Sequence, residues 1–218
     1  MNHTELQALH KKIAPAIRAR LAEFRAVLQK GSDYEVFREL VFCLFTPQSG
    51  SKICWETVQR LDAAGLIAGG SEADIAAAIN TVRFRYNKAR YVVEARERFS
   101  LRGNFSAAGY SIKEFIQRFK DPFELRDGIH SSIKGLGLKE ASHFLRNIGL
   151  GGDFAILDRH ILRCMVEYGV IDALPKSINP KLYFSLEAAL REFSGSLNIP
   201  LEHMDMVLWY RVKEEVFK

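Results

Sequence analysis

Apolar residues recur along this chain at helical spacing, and no convincing run alternates apolar and polar positions as a half-buried strand would. Leu6, Leu9, Ile13, Ile17, Leu21, Phe24 and Leu28 step by three or four positions and predict a first helix, which Pro15 is expected to bend or divide. Ser32 and Glu35 have the spacing of a capping box, a hydroxyl and a carboxylate placed to satisfy free amides, and predict a helix over about residues 33–46. Further helix starts are signalled at Ser71–Asp74, at Asp121-Pro122-Phe123-Glu124, at Asn179-Pro180 and before Pro200, because proline suits a first helical turn. The tracts 65–70 and 103–110 are the softest in the chain, yet both are too short for an interdomain linker. There is no internal repeat. The fold class that follows is all-α.

Composition narrows the class without selecting a function. At 218 residues, with 48% hydrophobic and 11% aromatic content, the chain buries a substantial core. No stretch approaches the roughly 20 apolar residues of a membrane span, and the N-terminal MNHTELQALHKK lacks the apolar run of a signal peptide. A cytoplasmic, nucleoid-associated location is expected. Cys43, Cys54 and Cys164 are isolated within apolar helical patterns and read as buried thiols, not as metal or redox groups. Thirty-one Lys and Arg against 26 Asp and Glu leave a net charge of +5, which permits attraction to a polyanion. Many basic proteins never touch nucleic acid.

The specific signal lies in residues 131–170, SSIKGLGLKEASHFLRNIGLGGDFAILDRHILRCMVEYGV. Gly135 and Gly137 flank Leu136 in a tight turn between helical patterns, where glycine permits positive φ and close approach of another backbone. Ala141, Phe144, Leu145 and Ile148 then predict a helix from about Leu138, whose free amides and dipole favour a phosphate. An ordinary helix–helix turn would carry the same pattern. Lys139 falls in the first turn of that helix, where the dipole and partial burial both favour a neutral amine able to form a Schiff base. The alternative for Lys139 is a phosphate-contacting or solvated lysine. Asp158, in LDRH, is placed to cap the next helix, which by itself would explain the residue, and a carboxylate held there could also stabilise a developing cationic sugar.

IKGLGLKEASHFL with the downstream LDRHILR resembles the helix-hairpin-helix DNA glycosylases, in which a lysine precedes an aspartate by the 19 positions that separate Lys139 from Asp158 here. FCLFTPQSGSK and RYNKARYVVEA are similar to two further helices of that family. KEASHFLRN, AILDRH and LWYRVK are most similar to its compact archaeal and bacterial 8-oxoguanine glycosylase/lyases. The resemblance implies a single glycosylase unit over residues 1–218, with one helical lobe at 31–125 and a second at 1–30 plus 126–218. The hairpin would occupy 126–150 and the active site a cleft between lobes.

The same resemblance implies the roles of individual residues. Lys139 and Asp158 would be the catalytic pair. Gln48 would fill the gap left by an extruded nucleotide, with Phe84 and Tyr86 either a wedge beside it or core residues. Lys52 and the hairpin backbone at Ile133, Gly135, Leu136 and Gly137 would grip phosphates, with a monovalent cation possible on the hairpin carbonyls and no other cofactor required. Trp209 would stack on the base or pack in the core, and His143 would face the pocket or the core. A packed helix from Leu201 to Val216 would bring the carboxylate of Lys218 to the N7 hydrogen that distinguishes 8-oxoguanine from guanine. The partner would be duplex DNA carrying 8-oxoguanine or an abasic site, bound by a monomer. The chain lacks the clustered C-terminal cysteines of iron–sulfur relatives. A glycosylase/lyase for another oxidised base, or a DNA-binding module without catalysis, stand as alternatives.

Overall fold

The computed structural model describes residues 3–99 and 110–218, so the soft tract expected at 103–110 lies outside the described residues apart from Tyr110. Among the described residues there are helices and no strands. The chain opens with α1 (His3–Lys30), α2 (Asp33–Phe45), α3 (Ser51–Ala63), the short α4 (Leu66–Gly69) and α5 (Glu72–Ala78). It continues through α6 (Arg85–Arg98), α7 (Ile112–Gln117), α8 (Pro122–Ser132) and α9 (Leu138–Asn147). Then come α10 (Arg159–Glu167), α11 (Pro180–Ser196) and α12 (Leu201–Lys213). No helix among the described residues is long and apolar enough to cross a membrane.

Local sequence accounts for most of these boundaries. Ser32 accepts from the Glu35 amide while Glu35 returns a bond to the Ser32 amide, and Ser71 with Asp74 repeats the arrangement at α5. Asp121 and Asn179 cap α8 and α11 ahead of Pro122 and Pro180, prolines whose missing N–H is harmless at that position. Two expectations are corrected. The first helix is not divided at Pro15, because α1 continues through it with Leu6, Ile13, Ala14, Ile17, Leu21 and Phe24 all buried on one face. That apolar face outweighs the single hydrogen bond the proline removes. The last helix stops at Lys213 and not at Val216, since Glu214 takes a left-handed conformation with φ 55° and closes it.

The chain forms two compact units, one of residues 26–144 and one of residues 1–25 with 145–218. In the first, α2 packs against α3, α6 and α7, and its Val36, Phe37, Leu40, Val41, Phe42, Leu44 and Phe45 are fully buried. In the second, α12 packs against α10 and α11. Residues 126–144, which the sequence groups with the chain ends, make their contacts within 26–144. Arg126 donates to Ser142 at 3.3 Å, Lys134 reaches Glu94 at 3.4 Å, and the Tyr91 ring lies against Gly135. In the second unit, Arg146 and Asp205 form a buried ion pair, with Arg146 also lying over the Phe24 ring at 5.6 Å. Such a pair is costly to break from one side, because the remaining charge stays buried.

Candidate active site

The turn between α8 and α9 is built by two glycines that do different things. Gly135 has φ +88°, and a Cβ there would stand 2.4 Å from Cδ2 of Tyr91, so both backbone and space demand glycine. Of the two glycines expected to permit positive φ, Gly137 does not use that freedom. A Cβ at Gly137 would instead meet the Glu140 carboxylate, 2.9 Å from Oε2. The side chains of Ile133 and Leu136 are buried, which anchors the turn and leaves its backbone to do any binding. The Gly137 carbonyl accepts from Ala141 at 2.9 Å as the first bond of α9, and the amides of that first turn have no acceptor within the helix. His130 Nδ1 lies 2.8 Å from the Leu136 carbonyl oxygen and Leu136 N donates to Ile133 O at 3.3 Å.

Lys139 follows directly, three-quarters buried, with Nζ 2.8 Å from Glu140 Oε1. This carboxylate, beyond the helix-end and burial effects expected at the position, makes the lysine one half of an ion pair. His143, one turn further on, is buried with its ring edge-on to Phe42 at 5.4 Å.

Three segments of the same unit carry the residues assigned to base extrusion. Gln48 is exposed at φ +55° in the turn between α2 and α3, Lys52 is exposed in the first turn of α3, and Phe84 stands at φ +58° before α6. Phe84 and Tyr86 are 54% and 69% exposed, which removes the core reading for both. Arg83 lies over the Phe84 ring at 5.7 Å and Arg85 over Tyr86 at 4.8 Å, giving an exposed ridge of alternating cations and rings. Beneath it lies Lys88, buried on the same face of α6 as Val92 and Ala95. A lysine at that spacing on an apolar face is the one sequence signal of its role. Burial, opposed by Cys54 and Glu140, brings its ammonium down to about 8, while burial pushes the Cys54 thiol up to about 11. All three cysteines are buried thiols outside any disulfide.

In the second unit Asp158 caps α10, its Oδ1 accepting from the amides of His160 and Ile161 at 2.8 Å each. The residues before it are held by α11, where Glu187 accepts from Ala155 N at 3.0 Å and Tyr183 donates to Ala155 O at 2.7 Å. The sequence pattern gives no hint of that clamp. Trp209, half-buried on α12, meets the His160 ring edge-on at 5.3 Å, and its buried Nε1 has no hydrogen-bond partner among the described residues. Lys218 is also half-buried, with Nζ 5.8 Å from the centre of the Phe24 ring. No cluster of three His, Cys, Asp or Glu suited to a metal ion occurs among the described residues.

These elements can be set against known proteins. Residues 17–199 match the helix-hairpin-helix family described as 8-oxoguanine DNA glycosylase. An 8-oxoguanine DNA glycosylase/AP lyase of Fusobacterium nucleatum is 38% identical over 214 residues, 98% of this chain and 96% of that one. One of Methanocaldococcus jannaschii is 33% identical over 215 residues, covering 96% and 95%. Among solved structures, the M. jannaschii glycosylase/lyase in complex with 15mer DNA containing 8-oxoguanine aligns over 99% of both chains, with TM-score 0.88 and 30% identity. The Thermotoga maritima 8-oxoguanine DNA glycosylase aligns over 99% of this chain and 98% of that one, with TM-score 0.85 and 29% identity. With its hairpin, its first-turn lysine and its capping aspartate all inside a match of this length, the chain belongs to the helix-hairpin-helix 8-oxoguanine DNA glycosylase family.

Proposed function

We propose that this chain excises 8-oxoguanine from duplex DNA and cleaves the resulting abasic site, acting as a monomer on DNA in the cytoplasm. The observation that carries the reading is Lys139, which stands on the first turn of α9 just after the Gly135 turn and is paired with Glu140 at 2.8 Å. The hairpin amides and Lys52 hold phosphates, and Gln48, with Phe84 and Tyr86, occupies the space of the extruded nucleotide. Trp209 stacks on the extruded base and Lys218 borders the same pocket.

Glu140 takes a proton from the Lys139 ammonium, the freed amine attacks C1′ as the bond to the base breaks, and the departing base takes up the proton that the amine nitrogen loses on bonding. The Asp158 carboxylate stabilises the positive charge that builds on the sugar in that step. Opening of the sugar ring yields an imine between Nζ and C1′. The imine acidifies the C2′ proton, and its loss expels the 3′ phosphate by elimination. Water then releases the enzyme. A monovalent cation at the hairpin would use the carbonyl oxygens of Ile133 and Leu136, each of which keeps a lone pair after its bond to Leu136 N or His130. It would only brace the phosphate contacts.

The test is a cleavage panel of duplexes carrying 8-oxoguanine, other oxidised bases or an abasic site. Release of 8-oxoguanine together with strand cleavage is expected. Binding without release would make the chain a DNA-binding module, and preference for another oxidised base would replace the substrate.

A further inference from the structure

Lys88 lies in no role described so far, yet its ammonium is a buried cation of the 26–144 unit with oxygens of three residues about it. Its Nζ donates to the carbonyl oxygens of Phe45 and Pro47 at 2.7 Å each, and lies 3.4 Å from Ser49 Oγ. Phe45 is the last residue of α2, where carbonyls lack intrahelical donors and the helix dipole is negative, so a cation is favoured there. The Cys54 thiol donates to that same Phe45 oxygen at 3.3 Å. Ser49 Oγ also accepts from the Arg83 amide at 3.1 Å. Two turns are thereby tied to one ammonium. One contains Gln48 at φ +55°, and the other leads into Phe84 at φ +58°.

Left-handed conformations at non-glycine residues carry a cost and persist where surrounding bonds over-determine them. Both residues are exposed, so their own side-chain packing supplies little of that restraint. The Lys88 cradle supplies it.

We propose that Lys88 is a positioning residue for nucleotide extrusion, setting the Gln48 turn and the Phe84 turn in the register with which they enter the duplex. The proposal rests on the glycosylase reading above. It makes the fourth position of RYNK a determinant of DNA opening, acting through Gln48 and Phe84 and not by touching DNA.

The experiment uses the full chain and a duplex whose lesion nucleotide carries a 2′-fluorine, so that no base is released, with 2-aminopurine beside the lesion to report unstacking. Lys88→Met, Gln48→Ala and the double variant are compared with the unaltered protein, and thermal melting checks each fold. Lys88→Met is expected to lower the extruded fraction at least about tenfold, the scale of a lost charged hydrogen bond. The double variant is expected to be no worse than Lys88→Met alone, since losing Lys88 already releases the turn through which Gln48 acts. Independent, multiplying losses, or no loss in Lys88→Met, overturn the proposal.

If Lys88→Met does not fold, the pH dependence of the unaltered protein decides. The groups facing the ammonium are Cys54, Glu140, Lys139 and Arg83. Extrusion should fall as pH rises through about 8, where Lys88 gives up its proton, and the fall should be smaller in Gln48→Ala, which keeps only the Phe84 turn under the control of the ammonium. A flat profile from about pH 7 to about pH 9 overturns the role. Failure of the unaltered protein to excise 8-oxoguanine would sink the glycosylase reading itself. Normal excision by Lys88→Met would sink only the positioning role.

Discussion

Replacing Gly135 and Gly137 separately by alanine should produce opposite phenotypes, although the two stand in the same short turn. At Gly135 the new Cβ would sit 2.4, 2.8 and 3.1 Å from three atoms of the Tyr91 ring, and φ is +88°. Left-handed backbone costs an L-residue about 1–2 kcal/mol, and overpacking against a ring adds about 1–3 kcal/mol. The restricted unfolded chain returns about 0.4–1 kcal/mol. The net loss is then about 1–5 kcal/mol, and a value near the middle lowers the melting temperature by roughly 6–12 °C in a chain of this size. At Gly137 the close atom among the described residues is Glu140 Oε2 at 2.9 Å, the far end of a flexible side chain. Alanine there should cost about 0.5–1 kcal/mol, as a poorer helix-start residue. It should displace the carboxylate that pairs with Lys139, so imine trapping slows while melting barely moves. Thermal melting and borohydride trapping on an abasic duplex read the two effects apart. If Gly135→Ala melts within about 1 °C of the unaltered protein, the clash and strain argument is refuted.

Three further outcomes follow from the geometry. Asp158→Asn keeps an oxygen for the His160 and Ile161 amides and should melt normally while excision falls about a hundredfold. Asp158→Ala should lose about 1 kcal/mol of stability as well, and equal excision by the Asn variant would leave the residue a cap only. Trp209→Ala should slow 8-oxoguanine release more than cleavage at a preformed abasic site; equal slowing on both substrates would place Trp209 outside the base pocket. His10 Nε2 and His203 Nδ1 lie 2.9 Å apart, and both imidazoles are held below their ordinary value, mainly by burial. Arg18 adds to that effect at both, and Glu202 opposes it at His203. The unfolded chain therefore binds protons more readily, and the pair's stability, present above about pH 6.5, is lost as pH falls through and below that value. Melting from about pH 7.5 to about pH 5.5 should show that loss, and His10→Leu should flatten it.

Helix starts were legible in the sequence at Ser32, Ser71, Asp121, Asn179 and Asp158, where a short polar side chain bonds its own neighbours, whereas the same box formed by Ser111 and Glu114 at α7 was missed. Those bonds are local, so spacing is enough to find them. The hairpin and its lysine were legible for the same reason. What spacing does not carry is the partner supplied from a distant segment. Pro15 fails to break α1 because six buried side chains along the helix hold it. Gly135 is required by Tyr91, 44 positions away in sequence. Phe84 and Tyr86 have the composition of core residues, and only the left-handed backbone at Phe84 and the arginines over both rings mark them as surface. Lys88 left one trace, a charge on an apolar helix face, while its acceptors at Phe45 and Pro47 belong to another helix end. Asp205 and Arg146, both buried, are 59 positions apart and give no pattern at all.

The central claim is that Lys139 forms the covalent bond to the sugar. Borohydride reduction during reaction with an 8-oxoguanine duplex, followed by proteolysis and mass measurement of the crosslinked peptide, tests it most directly. The account predicts a reduced adduct on the peptide containing Lys139, and none from Lys139→Gln although that variant still binds the duplex. An adduct on another lysine, or undiminished trapping by Lys139→Gln, would contradict it.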